Sequence, residues 1–570
     1  MTIYFDRKGY RDLVCRFGEQ VPELLSKHSI TSDLARQVDM MDIVSVLDSR
    51  FTVAIIGQMR AGKSTLLNAI IRKDLAPTGI NETTATINWF RYGEGDIEDK
   101  FRVHWKDGSQ DDYPLEEVNE WLGKSEHAEK TVALDFFSKN GFLKHANLVD
   151  TPGTRSVLDS HEGATKDFLF DEKASERAEK DSLEQGSKAD AVIYVLNPVT
   201  RQRDSDLLSM FGEETRLPGA NAYNSIAVVQ KWELGSLNES MNPLDYVAKK
   251  CVRIQEQLKG KVARVLPVSG IIARKVQVLP DVFWKDVARI ALETSKDNLD
   301  WLLESDDELG FLNPDIPCPI SAAQRKKMVQ AFGITSILRV CIRLAYEFKI
   351  REGKRLRTQL WKASNIEKLQ KLLVTQFFKQ AGLIKANTVL RKAWLPCTIG
   401  IARLRDAEEE SRENHKRGLE SLEALQQMQS AQSSKIEQYI RHSLKAVQDN
   451  MHNIRELRTK LERLRSVVFD NFSALEKDLD CIEALNGEEC EELNDDQKSE
   501  LSSLFGLSGT EIWLRLGYPG ETKIDDMTER AEDLLDYWEE QNYRGNPHKR
   551  VAEHACLRLN QILDSLEEGE

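Results

Sequence analysis

The chain has 570 residues, 41% of them hydrophobic and 30% charged, and carries a formal charge of −14 at pH 7. This length exceeds one ordinary core and predicts two or three packed regions, while the composition excludes a wholly disordered chain. No apolar run approaches the ~18 residues of a membrane-spanning helix, and the acidic balance excludes a general nucleic-acid coat, so no nucleic acid is expected as a partner.

The opening residues, MTIYFDRKGYRDL, lack an apolar stretch after a basic head and do not read as a secretory signal. Residues 1–50 read as helical, with Leu13, Phe17, Val21, Leu24 and Leu25 on one side. Over 51–270, short β-branched or aliphatic runs (FTVAIIG, LKHANLVD, ADAVIYVLN, NSIAVVQ, ARVLPVSG) alternate with longer helix-like stretches. Buried runs separated by helices predict an α/β domain, a mainly parallel sheet with helices on both faces. Eight cysteines are scattered without a CxxC pair, which reads as reduced thiols in a cytoplasmic protein.

The run from Phe51 to Ile56 leads into Gly57, Gln58, Met59, Arg60, Ala61, Gly62, Lys63 and Ser64, followed by Thr65 and the helix-like LLNAII. This is GxxxxGK[ST] in the strand–loop–helix setting of a phosphate-binding loop. Its glycines let backbone N–H groups curl around phosphate oxygens, and the helix N-terminus adds partial positive charge. Lys63 is expected to reach the β and γ phosphates, and the Ser64 hydroxyl to ligate Mg²⁺.

In the stretch GINETTAT, residues 79–86, a switch threonine is expected to ligate Mg²⁺ by its hydroxyl and to meet the γ-phosphate by its N–H. Thr84 is the first candidate and Thr83 the second. The run LVDTPG, residues 148–153, puts Asp150 in place to hold Mg²⁺ through a water, and the Gly153 N–H to meet the γ-phosphate. It points to a GTPase-like switch, since the strand-end Asp-Glu and signature motif of ABC-type and SMC-type ATPases are missing. Base recognition falls to Gln230, Lys231 and Glu233, in the place where a GTPase carries [NT]KxD. Lys231 would cover the ring, Glu233 would accept from guanine with one methylene more than Asp, and Ser269 marks a final base-contacting loop. GTP is favoured over ATP or relaxed specificity.

Twelve of the fifteen prolines lie at or before Pro319, so helix should dominate beyond residue 320. Residues 368–405 hold eight Lys or Arg and no Asp or Glu, with chain breaks expected at Gly382, Pro396 and Gly400. Phe377, Phe378, Lys385, Arg391, Lys392 and Trp394 are its candidates for an anionic membrane surface. The competing reading is a trunk helix that buries its aromatics and exposes its lysines. The Gly-broken apolar run from Leu504 to Leu516 is a second tip candidate. From Ile436 to Leu479, apolar residues recur at steps of three and four, and neither Gly nor Pro interrupts 419–486. An antiparallel bundle fits this stripe better than an exposed coiled coil. The acidic stretch 478–500, ten Asp or Glu against Lys498, reads as solvated surface.

The segments AIIGQMRAGKSTLLNAII, LAPTGINETTAT, LVDTPGT and ADAVIYVLNP, followed by a helical stalk, resemble the dynamin superfamily and specifically its bacterial dynamin-like proteins. The resemblance implies an α/β P-loop GTPase head that uses GTP, GDP and Mg²⁺, with an elongated all-α neck and trunk. The implied division is 1–50 N-terminal neck helices, 51–320 GTPase domain, 321–365 neck and hinge, 366–525 trunk with a membrane tip, and 526–570 a helix returning to the neck. Phe332, Gly333 and Ile334 look like the hinge where the chain leaves the head. Lys63, Thr84, Arg60 and Gly153 are the implied catalytic residues. One departure bears on rate: Met59 stands where family members carry a catalytic Gln, and a thioether cannot polarise water. Arg60 beside it is either a cation over the β–γ bridge or a solvated loop residue. Two functions follow. One is slow GTP hydrolysis that couples association of heads, or of a head with a partner dynamin-like protein, to stalk movement and remodelling of an anionic lipid surface by a cytoplasmic, peripheral protein. The other is a nucleotide-gated scaffold with little hydrolysis that docks protein partners.

Overall fold

The computed structural model describes the chain except for residues 1–9, 38–48, 58–60, 77–86, 123–126, 128–129, 151–188, 197–221, 237–241, 259–260, 305–307, 428–432, 486, 510, 544 and 568–570. It divides into two compact units, residues 50–379 and residues 1–49 together with 380–570.

In the first unit the described strands form one sheet. They are β1 Phe51–Gly57, β2 Ile87–Tyr92, β3 Lys100–Trp105, β4 Gln110–Pro114, β5 Thr131–Ser138, β6 Ala146–Asp150, β7 Ala191–Leu196, β8 Ser225–Val229 and β9 Arg264–Pro267, in the order β4-β3-β5-β2-β6-β1-β7-β8-β9. The five runs read from the sequence are β6-β1-β7-β8-β9, parallel throughout. β1, β6, β7 and β8 are buried at every position, as strands covered on both faces must be. Val247, Ile272, Trp284, Leu338 and Leu360, each from a different helix, close one core with Ala54, Ile56, Tyr194 and Val229 of the sheet.

The other half of the sheet, β2 to β5, has no counterpart among those runs. It joins antiparallel at β2–β6, β3–β5 and β3–β4. Phe90 and Phe101 stack on Phe136 on its buried face, while Arg91 and His104 meet Asp135 on the other. The edge strand β4 is largely exposed and carries Asp111 and Asp112, charges that discourage further strand pairing.

Phe332 does not mark an exit from this unit. It is buried beside Phe283 and Trp284, with Gly333 as a left-handed cap between the helices Ala322–Phe332 and Thr335–Phe348. The chain crosses to the second unit between residues 379 and 380.

The second unit is helical, built on Ala381–Gln427 and Ser433–Ala484. Gln426 bonds Glu437, Gly418 faces Leu444, and Glu408 holds Arg455 and Arg458, so the two helices run antiparallel. The uninterrupted stretch 419–486 is therefore shared between two arms rather than forming one rod, which lets each arm bury its apolar stripe on the other. At ~1.5 Å per residue the arms are about 70 and 78 Å long. Pro396 and both glycines lie inside the first arm and do not break it. At Gly400 a Cβ would come within 2.8 Å of Leu25, so glycine there admits the N-terminal helix Tyr10–Ser26 against the arm. Arg403 fastens the next helix, Ser32–Gln37, through both oxygens of Asp33.

The acidic stretch is not all solvated. Asp478 is wholly buried, accepting from His554, Arg558 and Arg515 and so joining the second arm to the helices Ile512–Arg515 and Lys549–Glu567. Burial alone would raise the Asp478 carboxyl, but Arg558, Arg515 and His554 bring it down to about 2. Its contribution is therefore present above the ordinary carboxylate range and lost only as pH falls towards that value. Among the described residues no single helix is long and apolar enough to cross a membrane.

Replacing Asp478 with Ala would leave two guanidinium groups buried without their carboxylate. The expected loss is about 3–5 kcal/mol, read as a lower urea midpoint for helix unfolding; an unchanged midpoint would show that the cluster does not hold these helices together.

Candidate nucleotide site

The parallel order β6-β1-β7-β8-β9 brings the carboxyl ends of these strands to one edge, where open α/β sheets bind ligands. Gly57 closes β1 against Val195, whose carbonyl oxygen would lie 2.6 Å from an added Cβ. Ala61 is buried, and Gly62 adopts a left-handed conformation (φ 100°) that starts the helix Lys63–Ile71. A side chain at either glycine would prevent this turn. Gln58, Met59 and Arg60 lie outside the described residues, as do Thr84 and Gly153.

Lys63 is buried and its Nζ donates to the Gly57 carbonyl at 3.2 Å, curling back over the loop. Ser64 Oγ donates to Asp150 Oδ2 at 2.7 Å. Thr65 lies on the side where Gly270 approaches, 3.1 Å separating its carbonyl from a hypothetical Cβ there. An alcohol and a carboxylate this close, beside a lysine, are hard oxygen donors of the kind Mg²⁺ prefers, so the residues fit that ion.

The base-contacting candidates meet the same loop from the other side. Gln230 Oε1 accepts from the Gly270 N–H at 3.4 Å and, with the Lys231 stem, would lie in van der Waals contact with a Cβ added at Gly62. The Gln230 amide nitrogen is buried with no hydrogen-bond partner among the described residues, a donor available to a ligand. Lys231 is left-handed (φ 58°), which swings it towards the loop. Glu233 is wholly buried and accepts from Ser269 Oγ, which also caps the helix Gly270–Val278 by accepting from Ile272 N–H. Burial pushes the Glu233 carboxyl up to about 7, against the hydrogen bond from Ser269 and the charge of Lys231.

Asn68 was missed by sequence reasoning. It is buried in the P-loop helix, donates to the Ala76 carbonyl and accepts from the Leu75 and Ala76 N–H groups. It thereby anchors the chain that leads to the threonine-rich stretch. A lone amide inside the apolar TLLNAII was the available signal.

Three of the membrane candidates, Phe377, Phe378 and Lys385, are engaged inside the protein rather than presented to a lipid surface. Phe377 is fully buried, and Phe378 packs on Phe51, Phe142 and His145 of the first unit. Lys385 is buried and donates to Ser49 Oγ at 2.8 Å. Aromatics and an amine satisfied inside protein have nothing left to offer a bilayer. Trp394 is half-buried, and the side chains of Arg391 and Lys392 lie outside the described residues. In the second tip candidate Leu504, Phe505, Ile512 and Leu516 are buried as well.

A glycine-rich turn from a central parallel strand into a helix, with lysine, serine and a facing aspartate, defines a P-loop protein. Residues 53–232 match the Dynamin family. It is 27% identical over 345 residues to the isoniazid-induced protein IniC of Mycobacterium tuberculosis, covering 59% of this chain and 65% of that protein. It is 28% identical over 206 residues to dynamin-like protein 2 of Campylobacter jejuni, covering 34% and 32%. A bacterial dynamin-like protein of Nostoc punctiforme is 34% identical over 88 residues, covering 15% and 12%. The chain thus spans just under two thirds of the IniC length and less of the others. A solved structure of an oligomerised bacterial dynamin pair aligns over 97% of this chain and 91% of its own at 14% identity, with a TM-score of 0.31.

For Glu233 the pH dependence has a definite sign. A carboxyl whose pKa is raised on folding stabilises the folded head below its unfolded value near 4.5, and that stability is lost as pH rises through about 7. Glu233→Gln keeps the acceptor for Ser269 and removes the buried charge. The nucleotide-free variant should unfold at a higher temperature than wild type at pH 8, by on the order of 3 kcal/mol, and match it near pH 4.5. Parallel pH profiles for the two proteins would contradict the assignment.

Proposed function

We propose that the chain is a dynamin-like GTPase that binds GTP and GDP with Mg²⁺ and hydrolyses GTP slowly. The observation that carries this reading is the Ser64–Asp150 pair beside Lys63 at the end of β1. Ser64 and Thr84 would hold Mg²⁺ directly and Asp150 through a water; the ion would neutralise charge on the phosphates. Lys63 would bind the β and γ phosphates, and the Gly153 N–H and Thr84 would sense the γ-phosphate. Arg60 would supply the cation that Met59 cannot. Gln230, Lys231, Glu233 and Ser269 would receive the guanine base, with Glu233 accepting its donors as a carboxylate.

Heads that associate when their switches are ordered would couple turnover to movement of the helical unit at an anionic lipid surface. Within that unit the exposed Leu419, Ile436 and Tyr439 suit lipid contact better than Lys385, which is buried. Met59 favours the second reading, a nucleotide-gated scaffold that docks protein partners and barely hydrolyses.

GTP turnover measured across protein concentration, with and without anionic liposomes, separates the two. The first reading expects a rate per head that rises with concentration and with lipid, and that Lys63→Ala abolishes together with nucleotide binding. A flat, near-zero rate alongside intact GTP binding would favour the scaffold. Absence of GTP binding by wild type would end both.

A further inference from the structure

The segment Gly353–Gln370 lies more than a hundred residues beyond the matched family region, yet it is bonded to both halves of the nucleotide site. Asn365 occupies the position before the helix Ile366–Leu372, where an asparagine side chain ordinarily caps its own helix. Here it makes no such cap. Its backbone is left-handed (φ 56°), and its amide instead donates to the Pro267 carbonyl at 2.9 Å. The neighbouring Ser364 carbonyl accepts from the Ser269 N–H at 3.0 Å. Two successive residues thus bracket the loop that positions Ser269 against Glu233.

The same segment holds the P-loop helix at its far end. Gln370 Nε2 donates to the Ile70 carbonyl at 2.7 Å, one of the terminal carbonyls without a partner in its own helix. The Arg72 guanidinium, just past that end, lies 4.8 Å over the Trp361 ring. Arg357 donates to the Val276 and Gln277 carbonyls, so the helix that begins at the base loop is also held where it ends.

We propose that Ser364–Gln370 is a brace for the nucleotide site, in which Asn365 positions the base loop and Gln370 the P-loop helix. The proposal rests on the guanine-nucleotide reading above and adds residues that set its selectivity. Neither side chain touches nucleotide. Asn365 acts through Pro267 and Ser269 on the Glu233 carboxylate, which separates guanine from adenine. Gln370 acts on the helix whose first turn holds the phosphates, which both nucleotides share. The two positions should therefore fail differently.

The test uses the full chain with Mg²⁺ and measures Kd for GDP and for ADP by competition with fluorescent GDP. Asn365→Gly keeps the left-handed backbone and deletes the amide, while Asn365→Asp sets an acceptor against the Pro267 carbonyl. Both should weaken GDP about tenfold and leave ADP unchanged, collapsing the discrimination. Gln370→Met should weaken both nucleotides about fivefold with their ratio preserved. A merely structural role would lower the thermal midpoint without moving the GDP-to-ADP ratio, and unaltered discrimination in both Asn365 variants would overturn the base-loop assignment. Equal affinities in Gln370→Met and wild type would overturn the other half. A wild type that binds GDP and ADP alike overturns the guanine reading and the Asn365 assignment with it, leaving Gln370→Met to decide the phosphate side. A wild type that binds neither overturns everything proposed for the site.

Discussion

The hydrogen bond from Ser64 to Asp150 joins residues 86 apart in sequence, and the rest of the site depends on the geometry that makes it possible. It forms because β1 and β6 are adjacent and parallel, with Ile55 in register with Asp150, so that both strands release their chains at one edge of the sheet. The β1 exit is narrow on its other side, where the Val195 carbonyl leaves no room for a side chain on Gly57. A glycine turn, a lysine folded back over it and a carboxylate opposite then follow from strand order and two steric limits. β8 and β9 extend the same edge, bringing Gln230 and Gly270 to the loop from the far side.

Most of this edge was legible in the sequence because a strand buried on both faces announces itself as an unbroken apolar run. β2 and β3 did not, since each has one face lined with groups such as Trp89, Arg91, Arg102 and His104 that remain partly exposed. The basic and aromatic stretch at 368–405 misled for the converse reason. Its composition suits a lipid surface, but Phe378 finds Phe51 and Phe142, and Lys385 finds Ser49, and no local pattern announces partners more than two hundred residues away. Asp478 is the same lesson with charge: an acidic neighbourhood reads as solvated until Arg515 and Arg558 are folded against it. The contacts of Asn365 and Gln370 were beyond reach, because a single amide–carbonyl pair leaves no periodic trace.

Within the helical unit, specificity is carried by a few buried polar groups rather than by the apolar stripe, which would tolerate slippage by a turn. Glu408 lies in the hairpin between Arg455 and Arg458, and a shift of one arm past the other would strand the carboxylate or both guanidiniums. Arg403 and Asp33 add a partly exposed ion pair between the N-terminal helices and the first arm, and Gly400 makes room for Leu25 against that arm.

Arg403 and Asp33 stand 370 positions apart, with the whole α/β unit spliced between them. A ribosome adding about 5–20 residues per second needs roughly 20–70 s to travel from one to the other. For most of that interval the first helices exist without the arm they pack on, while the sheet behind them can close. Biogenesis therefore carries a waiting period in which Val21, Leu25 and Leu34 lack the arm that finally covers them.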